Sequence, residues 1–345
     1  MSSTDVNPTV DDIHRETFII EGHRDCYEQI HRINEGDDNP IGERMVPRLQ
    51  AGGVDALLYA IGGDTIAHSN GRDKRLLATL ENIAAFNKAV AEPATKAASV
   101  LAAADLPTAP DGKVHFILHL EGGGPLEGSL AALEAFYALG VRSIQPTWNV
   151  RNELGDGVRE RDTGGGLTTF GVAAVQEMER LGILVDLSHI SEHGFWHTIK
   201  VTSETLVVTH ANARAVLDHP RNLTDDQIKA VADRGGVIGA HTLPTYVDEA
   251  KPTVDRMIDH IEPMFDLVGV EHVGLGAAFI KSDGPRAGRE ALFHNPHAVP
   301  QLTDLGEMDE LPNLTTQMLA RGISAQDTAA ILGGNFARVL RQILR

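Results

Sequence analysis

The segment that decides the fold is LGILVDLSHISEHGFWHTIKVTSETLVVTHANARAVLDHPRN, residues 181–222. It contains two short β-branched runs, 183–185 and 206–208, and each leads into a Ser-His or Thr-His pair. His189 and His210 are therefore predicted at the ends of two buried strands. The residues between the runs are enough for one crossover helix, so we expect parallel neighbouring strands with adjacent C-terminal ends.

The two strand-end histidines are candidates for a shared metal site. Two imidazoles at adjacent strand ends can bind one ion. A single histidine in such a place is more simply a hydrogen-bonded structural residue. The same arrangement twice in succession, each time after an apolar run, favours the metal site.

Length and composition limit the class of protein. The 345 residues exceed the usual single-core domain but fit one α/β barrel. A formal net charge of −18 and a pI near 5.3 argue against a nucleic-acid or anionic-membrane partner. A single cysteine, Cys26, excludes an internal disulfide, and residues 1–16 have no apolar signal core, so we expect a cytoplasmic protein. No run is long and apolar enough to span a membrane.

Strand candidates alternate with helical patterns along the chain. The eight candidates are residues 17–20, 54–61, 114–121, 141–148, 183–185, 206–208, 237–241 and 272–279. This alternation predicts an α/β fold, a (β/α)₈ TIM barrel that occupies residues 1–345 as one domain. A last helical pair, 305–320 and 324–344, is expected to pack on the barrel. An open doubly wound sheet is the alternative, but no GxGxxG follows the first strand and no Walker motif occurs.

Two further helices are predicted beside these strands. Residues 73–104 have apolar positions at helical spacing, with Pro93 dividing the segment. A second helix is expected to begin just after His210 and to break at Pro220. Thr224 is expected to cap the start of the helix that follows, whose first turn is acidic.

Polar residues directly follow several of the predicted strands. His23 and Asp25 follow the first strand, and because they are two residues apart in an extended chain they point to the same side. Glu121 follows the third strand, in a glycine-rich turn, where an acid is costly to desolvate unless a cation meets it. In a barrel the active site lies at the C-terminal ends of the strands, so these residues should converge with His189 and His210.

These five candidate ligands offer three imidazole nitrogens and two carboxylates. That is more than one tetrahedral zinc with an open position needs, and it suits two metals that share one carboxylate. A bridged pair about 3.5 Å apart can hold a hydroxide and polarise a carbonyl, which is the chemistry of metal-assisted amide hydrolysis. The donor mix favours Zn²⁺, with Mn²⁺ or Co²⁺ as alternatives.

Arg221 lies on the loop after the second histidine-bearing strand. A guanidinium in this place could bind a substrate carboxylate through two parallel hydrogen bonds. A surface salt bridge is the other explanation, and the spacing along the chain favours neither.

The motifs around these residues resemble those of one known family. HRD at 23–25, the Glu121-Gly-Gly turn, VDLSH at 185–189, THANARAVLDHPRN at 209–222 and HVGLG at 272–276 are similar to the membrane (renal) dipeptidase family of binuclear zinc peptidases. The resemblance extends from about residue 12 to the NFARVL segment at 335–340. It covers nearly the whole chain and therefore implies a barrel of the metal-dependent hydrolase type.

The resemblance also implies a role for each candidate metal ligand. His23 and Asp25 would hold one zinc ion, and His189 and His210 would hold the other. Glu121 would bridge the two ions and so belong to the catalytic centre.

The same resemblance implies a small dipeptide-like substrate. Arg221, with Asn222 beside it, would bind the C-terminal carboxylate, and Trp148 in the PTWN segment would also contact the substrate. The family cleaves dipeptides, often accepts a D-residue on the C-terminal side and is commonly dimeric. This chain is similar to its soluble bacterial members, so we expect a homodimer without a membrane partner.

Two positions depart from the family pattern. Members usually have an aspartate at the end of strand eight, thought to engage the substrate amine and carry protons, where this chain has Ala278. Asp283 could replace it only if the loop folds back. At strand four some members have a histidine in place of Trp148. Ala278 allows three explanations: an inactivated substituted variant, a member whose substrate lacks a free amine, or a metal-binding barrel without hydrolysis.

Overall fold

The computed structural model describes residues 8–65, 68, 73–279 and 301–345. The strands in these residues are β1 (Ile19–Asp25), β2 (Val54–Gly63), β3 (Ala97–Ser99), β4 (Val114–Glu121), β5 (Val141–Ile144), β6 (Leu184–Val185), β7 (Ile238–Ala240) and β8 (Val273–Leu275). The order β1-β2-β4-β5-β6 is parallel throughout, β3 pairs with β4, and β7 pairs with β8. Parallel bridges from Val207 to Asp186 and from Val208 to Ile238 connect β6 to β7. The predicted (β/α)₈ barrel is therefore confirmed.

Helices follow most of the barrel strands, as a barrel of this class requires. Their bounds are α1 (Val10–Glu16), α2 (Tyr27–Asn34), α3 (Val46–Ala51), α4 (Arg75–Val90), α5 (Leu130–Ala138), α6 (Thr169–Leu181), α7 (Glu192–Val201), α8 (Asp225–Asp233), α9 (Pro244–Val247), α10 (Val254–Val268), α11 (Pro312–Ala320), α12 (Ala325–Ala329) and α13 (Asn335–Ile343). A π-helical turn, Ala330–Gly334, joins the last two. None of the helices in the described part of the chain has both the length and the apolar character needed to cross a bilayer.

Local sequence signals set the ends of several helices. The Thr168 hydroxyl accepts a hydrogen bond from the Gly171 N–H at the start of α6, and Gly182 ends this helix with a φ of 75°. Thr224 and Gln227 form a reciprocal capping box at the start of α8, as the sequence predicts for Thr224. These caps bond backbone groups that would otherwise be unpaired at the helix ends.

The core has two apolar layers, one outside and one inside the barrel. Outward residues of the strands pack on the surrounding helices, whereas inward residues such as Ile20, Leu58 and Ile117 form a separate cluster. Phe336 and Leu340 of α13 belong to this inner cluster and are completely buried. The C-terminal helix therefore covers the end of the barrel opposite the strand ends that carry the polar residues.

A bulge in β1 brings the first pair of predicted ligands, His23 and Asp25, into the barrel. Ile20 belongs to the inner apolar layer, so plain alternation would turn His23 and Asp25 outward. Between Glu21 and Arg24 the pairing with β2 shifts, because three steps along β1 face two steps along β2. Such a bulge reverses which side chains face inward, and both ligands then point into the barrel.

Two of the predicted helices are wrong. Residues 73–104 form a helix only as far as Val90, and Ala97–Ser99 is a short strand paired with β4. The apolar residues beyond Pro93 pack against a strand edge, which their spacing alone does not reveal. The stretch from His210 to Pro220 has no helix and folds as turns, with Arg214 N–H bonded to the Leu223 carbonyl.

Candidate metal centre

A pocket at the C-terminal ends of the strands collects most of the predicted site residues. It is lined by His23, Asp25, Tyr27, Glu121, Trp148, Asn149, His189, His210, His241, Leu243, Tyr246 and Ala278. All five predicted metal ligands belong to this set, although they come from β1, β4 and the segments after β6 and Val208. The barrel thus brings together residues that are nearly 190 positions apart in sequence, from His23 to His210.

Glu121 lies at the centre of the imidazoles. Its Oε1 atom is 3.5 Å from His23 Nε2, 3.4 Å from His189 Nε2 and 3.9 Å from His210 Nε2. Its Oε2 atom is buried and has no hydrogen-bond partner among the described residues. A carboxylate with one oxygen toward three imidazoles and the other unsatisfied has the arrangement expected of a bridging ligand.

The ring nitrogens of His189 and His210 face each other at 2.7 Å. The Nδ1 atom of His189 lies 2.7 Å from the Asn149 side-chain oxygen, which only accepts, so Nδ1 carries the proton. The Nδ1 atom of His210 likewise donates to the Thr209 hydroxyl oxygen at 2.9 Å, because that hydroxyl gives its own proton to Asp186. Both Nε2 atoms are therefore bare.

Burial lowers the pKa of His189 and His210 well below the ordinary value, and neighbouring positive groups lower it further. Both imidazoles are thus neutral near pH 7. With no hydrogen between them, the two facing nitrogens cannot form a hydrogen bond with each other. A cation bound to both would satisfy their lone pairs. Imidazole nitrogens are common zinc ligands, so His189 and His210 would be ligands of the same ion.

His23 provides the third imidazole and is equally unsatisfied. Its side chain is 1% exposed, and neither ring nitrogen has a hydrogen-bond partner among the described residues. Its Nε2 atom lies 3.8 Å from Asp25 Oδ1 and 3.5 Å from Glu121. An orphaned, buried imidazole beside two carboxylates fits a metal ligand better than a packed core residue.

Asp186 holds the strand-end histidines in place through hydrogen bonds with the residues that precede them, Ser188 and Thr209. It accepts hydrogen bonds from the Ser188 N–H and hydroxyl, the Thr209 N–H and hydroxyl, and the Gln145 amide. The Thr209 hydroxyl between Asp186 and His210 sets the tautomer of that imidazole. Metal-binding histidines are usually oriented in this way through their second nitrogen.

His68, which the sequence argument missed, completes a second cluster of ligand atoms. Its Nε2 atom is 3.2 Å from Asp25 Oδ1 and 4.0 Å from Glu121 Oε2. Potential ligand atoms of Asp25, His68 and Glu121 all lie within 4.8 Å of one another, and the same holds for His23, Glu121 and His210. Burial raises the pKa of Asp25, but the His23 and His68 imidazoles outweigh this effect and hold it below its ordinary value.

Ala278 lines the pocket in an unusual backbone conformation. Its φ is 51°, a left-handed value that Lys96, Glu127 and His189 share among the described non-glycine residues. This conformation costs most L-residues about 1–2 kcal/mol, whereas aspartate and asparagine adopt it more readily. The Ala278 N–H donates to the carboxyl of Glu21 at 3.1 Å, and burial raises the pKa of Glu21 to about 8. Asp283 lies outside the described residues.

Arg221 is buried just behind the pocket wall. Its side chain donates from Nη2 to the His210 carbonyl at 3.0 Å and lies 5.4 Å from the centre of the Tyr246 ring. It has no ion pair with any residue that the structure describes, and its Nε has no hydrogen-bond partner there. Burial lowers the pKa of Arg221, although not enough to remove its charge near pH 7. The surface salt bridge considered from the sequence is therefore not the arrangement found.

The other two predicted substrate-binding residues differ in position. Trp148 lines the pocket, and its ring centre lies 5.8 Å from that of His189. Asn222 is not among the pocket-lining residues, and its amide donates to the Leu217 and Tyr246 carbonyls. Asn222 thus braces the loop that carries Tyr246.

His241 and the two tyrosines of the pocket were not recognised from the sequence. A signal was available for His241, because it follows β7 as His210 follows the preceding strand segment. The Nδ1 atom of His241 lies 3.1 Å from the Thr242 N–H group and 3.2 Å from the Ala277 carbonyl oxygen, and these contacts hold the ring in the pocket wall. Tyr27 and Tyr246 lie on segments whose sequence has no comparable pattern.

The side chains present fit divalent metal ions. The cluster offers imidazole nitrogens and carboxylate oxygens, its members are buried, and several ligand atoms have no other partner. A barrel with such a cluster at the C-terminal ends of its strands defines the class of metal-dependent hydrolases.

The chain belongs to the membrane dipeptidase family. Residues 8–345 match the sequence profile described as membrane dipeptidase, peptidase family M19. The match confirms the family resemblance found from the motifs, and it makes the protein a member of a family of hydrolases that act on peptide bonds.

Individual relatives agree with this membership. An uncharacterized protein in the pqqA 5′ region of Klebsiella pneumoniae is 32% identical over 274 residues, which cover 76% of this chain and 95% of that protein. The dipeptidase aclJ of Aspergillus oryzae is 31% identical over 236 residues, 67% of this chain and 52% of that protein. The chain thus spans about half the length of the fungal dipeptidases it matches.

A solved structure supports the same fold. The metallopeptidase called dipeptidase AC superposes with a TM-score of 0.79 at 25% identity, over 95% of this chain and 99% of that one. The likeness extends over the whole barrel and not over one part of it.

Metal binding is expected to release protons, because Glu121 must be deprotonated to bind a cation. Burial, and then the nearby charge of Asp25, raise the pKa of Glu121 well above its ordinary value, so the metal-free carboxyl keeps its proton to a higher pH than an ordinary glutamate does. A metal needs the carboxylate, whereas His189 and His210 are already neutral. The apparent metal affinity should therefore rise with pH until the Glu121 pKa is passed. Calorimetry in two buffers of different ionisation enthalpy measures the release, and a proton count of zero would contradict this charge assignment.

Proposed function

We propose that this protein is a binuclear dipeptidase that uses two zinc ions, or Mn²⁺ or Co²⁺, to hydrolyse the amide bond of dipeptides. The observation that carries the proposal is the position of Glu121, with one oxygen toward three imidazoles and the other unsatisfied and buried. His23 and Asp25 would hold one ion, His189 and His210 the other. When bound, such ions supply a hydroxide nucleophile at neutral pH and polarise the scissile carbonyl.

The residues around the ligands would bind and orient the dipeptide. The His241 imidazole, which lines the pocket, would provide a hydrogen-bond donor for a substrate carbonyl oxygen. Trp148 and Tyr246 form flat walls that exclude water from the reacting bond. Acceptance of a D-residue on the C-terminal side and a homodimer follow from the family resemblance, and a cytoplasmic location follows from the single cysteine and the N-terminal composition; all three stay predictions.

Arg221 would hold the C-terminal carboxylate of the substrate. Its side chain is a buried cation with no ion pair among the described residues. Burial of such a charge costs free energy unless an anion pairs with it. The substrate carboxylate would provide that anion. Arg221 would reach it by a rotation of its own side chain past Tyr246. This gives the proposal a direct test.

Arg221→Lys is expected to raise KM by one to two orders of magnitude, about 1.4–3 kcal/mol. Lysine keeps the charge but cannot form two parallel hydrogen bonds with a carboxylate. Steady-state kinetics on dipeptides measure the change, and the matching dipeptide amides are the control, since wild type and variant should treat them alike. Equal activity of the wild type on acids and amides would place the carboxylate site elsewhere.

A second function is supported by Ala278. The pocket position that carries an aspartate in similar proteins has no carboxylate here, so a substrate without a free amine would lose nothing by its absence. An amidohydrolase for N-blocked amino acids is therefore the second candidate, and a metal-binding barrel without hydrolysis is the third.

One experiment separates the three candidates. The metal content is measured, and L-L, L-D and N-blocked dipeptides are then offered to the chain and to Ala278→Asp. Turnover of free dipeptides that increases in the variant supports the dipeptidase. Turnover of N-blocked substrates alone supports the second candidate, and two metals without turnover by either protein supports the third.

A further inference from the structure

His68 is a buried imidazole that the proposed ligand set does not use. It lies on the segment after β2 and is 2% exposed. Its Nε2 atom points at two carboxylates, 3.2 Å from Asp25 Oδ1 and 4.0 Å from Glu121 Oε2. The three side chains form a compact cluster of one nitrogen and two oxygens inside the pocket region.

The orientation of the His68 ring is fixed from its other side. Nδ1 lies 3.2 Å from the Thr65 hydroxyl, which in turn lies 3.2 Å from the Tyr27 hydroxyl. The Tyr27 ring packs at 4.9 Å from the His68 ring. A histidine held through one nitrogen, with the second directed at carboxylates, has the orientation typical of metal ligands.

The two oxygens of Glu121 face different imidazoles. Oε1 is the atom near His23, His189 and His210, whereas Oε2 is the atom near His68. Oε2 is also the oxygen that is buried without a hydrogen-bond partner among the described residues. A cation between Asp25, His68 and this oxygen would satisfy all three groups at once.

We propose that His68 is a ligand of the metal ion on the Asp25 side, through Nε2. The centre would then use four imidazoles and two carboxylates, with two imidazoles for each ion: His23 and His68 for one, His189 and His210 for the other. The inference rests on the proposed metal centre but on no substrate or reaction. The competing explanation is a hydrogen bond from His68 to Asp25 without coordination.

Proton NMR of the cobalt-loaded protein counts the metal-bound histidines. Each imidazole bound through Nε2 shows one strongly shifted, solvent-exchangeable N–H signal, and we expect four in the wild type and three in His68→Gln. His115→Gln is the matched control, because His115 also pairs with an aspartate, Asp111, at 3.1 Å but lies away from the pocket. This control should keep four signals.

The metal content of the same variants provides a second readout. With excess cobalt, as in the signal count, both sites of His68→Gln stay filled, but dialysis should then remove its more weakly held ion on the Asp25 side and leave the other, whereas His115→Gln should keep both. Three signals in the wild type, unchanged by His68→Gln, would overturn the proposal in favour of the hydrogen bond.

The test also covers a variant that does not fold and a failure of the proposed dipeptidase activity. If His68→Gln does not fold, X-ray absorption of the zinc-loaded wild type decides: an average of two imidazoles per zinc supports the proposal, and one and a half overturns it. A failure of the proposed dipeptidase activity would leave these counts unchanged, because the measurements contain no substrate.

Discussion

Ala278→Asp is expected to raise kcat on free dipeptides by about 10²–10⁴-fold, the usual contribution of a general acid–base group. Ala278 already lines the pocket, and its left-handed backbone suits aspartate better than alanine. The new carboxylate could take a proton from the attacking water and pass it to the leaving nitrogen. KM and metal content should change little, because the proposed ligands and Arg221 are untouched.

The matched control for this gain is Ala278→Asn. Asparagine has the same shape and the same tolerance for the left-handed conformation, but it cannot transfer a proton at neutral pH. It should therefore leave kcat near that of the starting protein. An equal gain from asparagine, or ordinary dipeptidase rates in the unaltered chain, would show that another residue carries the proton.

Glu121→Gln is expected to remove both metals and, with them, hydrolysis. Glutamine keeps the shape but loses the charge of the one side chain that lies near all three strand-end imidazoles. Metal analysis after dialysis should fall from about two ions per chain toward none, and added metal should no longer raise the Tm. His189→Ala, in contrast, should lose one ion and keep the one on the Asp25 side.

Glu127→Gln is the control for this loss. It makes the same chemical change six residues further along the same loop, where the side chain is exposed. Metal content and activity should be those of the unaltered chain. Two ions retained by Glu121→Gln would contradict the bridging role.

The strand-end residues could be predicted because two simple rules apply to them. A short apolar run bounded by helical patterns predicts a buried strand, and the barrel brings the C-terminal ends of such strands together. This reasoning located His23, Asp25, Glu121, His189 and His210, all of which line one pocket.

Residues of the connecting loops could not be found in this way. His68 and Tyr246 approach the pocket because of long-range packing. Such packing leaves no periodic pattern of apolar residues in the local sequence. Asp64 illustrates the cause: its carboxylate accepts hydrogen bonds from the Gly124 and Trp148 N–H groups and so ties the ends of three strands together. Such a contact has no signature within any one segment.

The short strand Ala97–Ser99 was missed for a related reason. Its residues are only partly buried and are mostly alanine, which is common in helices, so the pairing with β4 decides its structure. The loop from His210 to Pro220 shows the opposite error, because a helix was predicted there and does not form. Hydrogen bonds from the Arg214 side chain to the carbonyls of His219, Pro220 and Asn222 stabilise turns in its place.

The bulge between Glu21 and Arg24 makes this stretch sensitive to its length. A substitution at Arg24 alters contacts outside the barrel, where its guanidinium pairs with Glu28 and Glu307. Removal of one residue from the stretch would instead eliminate the bulge, and plain alternation from Ile20 would then point His23 and Asp25 into the barrel. Among related sequences, we therefore expect the bulge to be absent from members whose stretch between the first strand and the HRD segment is one residue shorter.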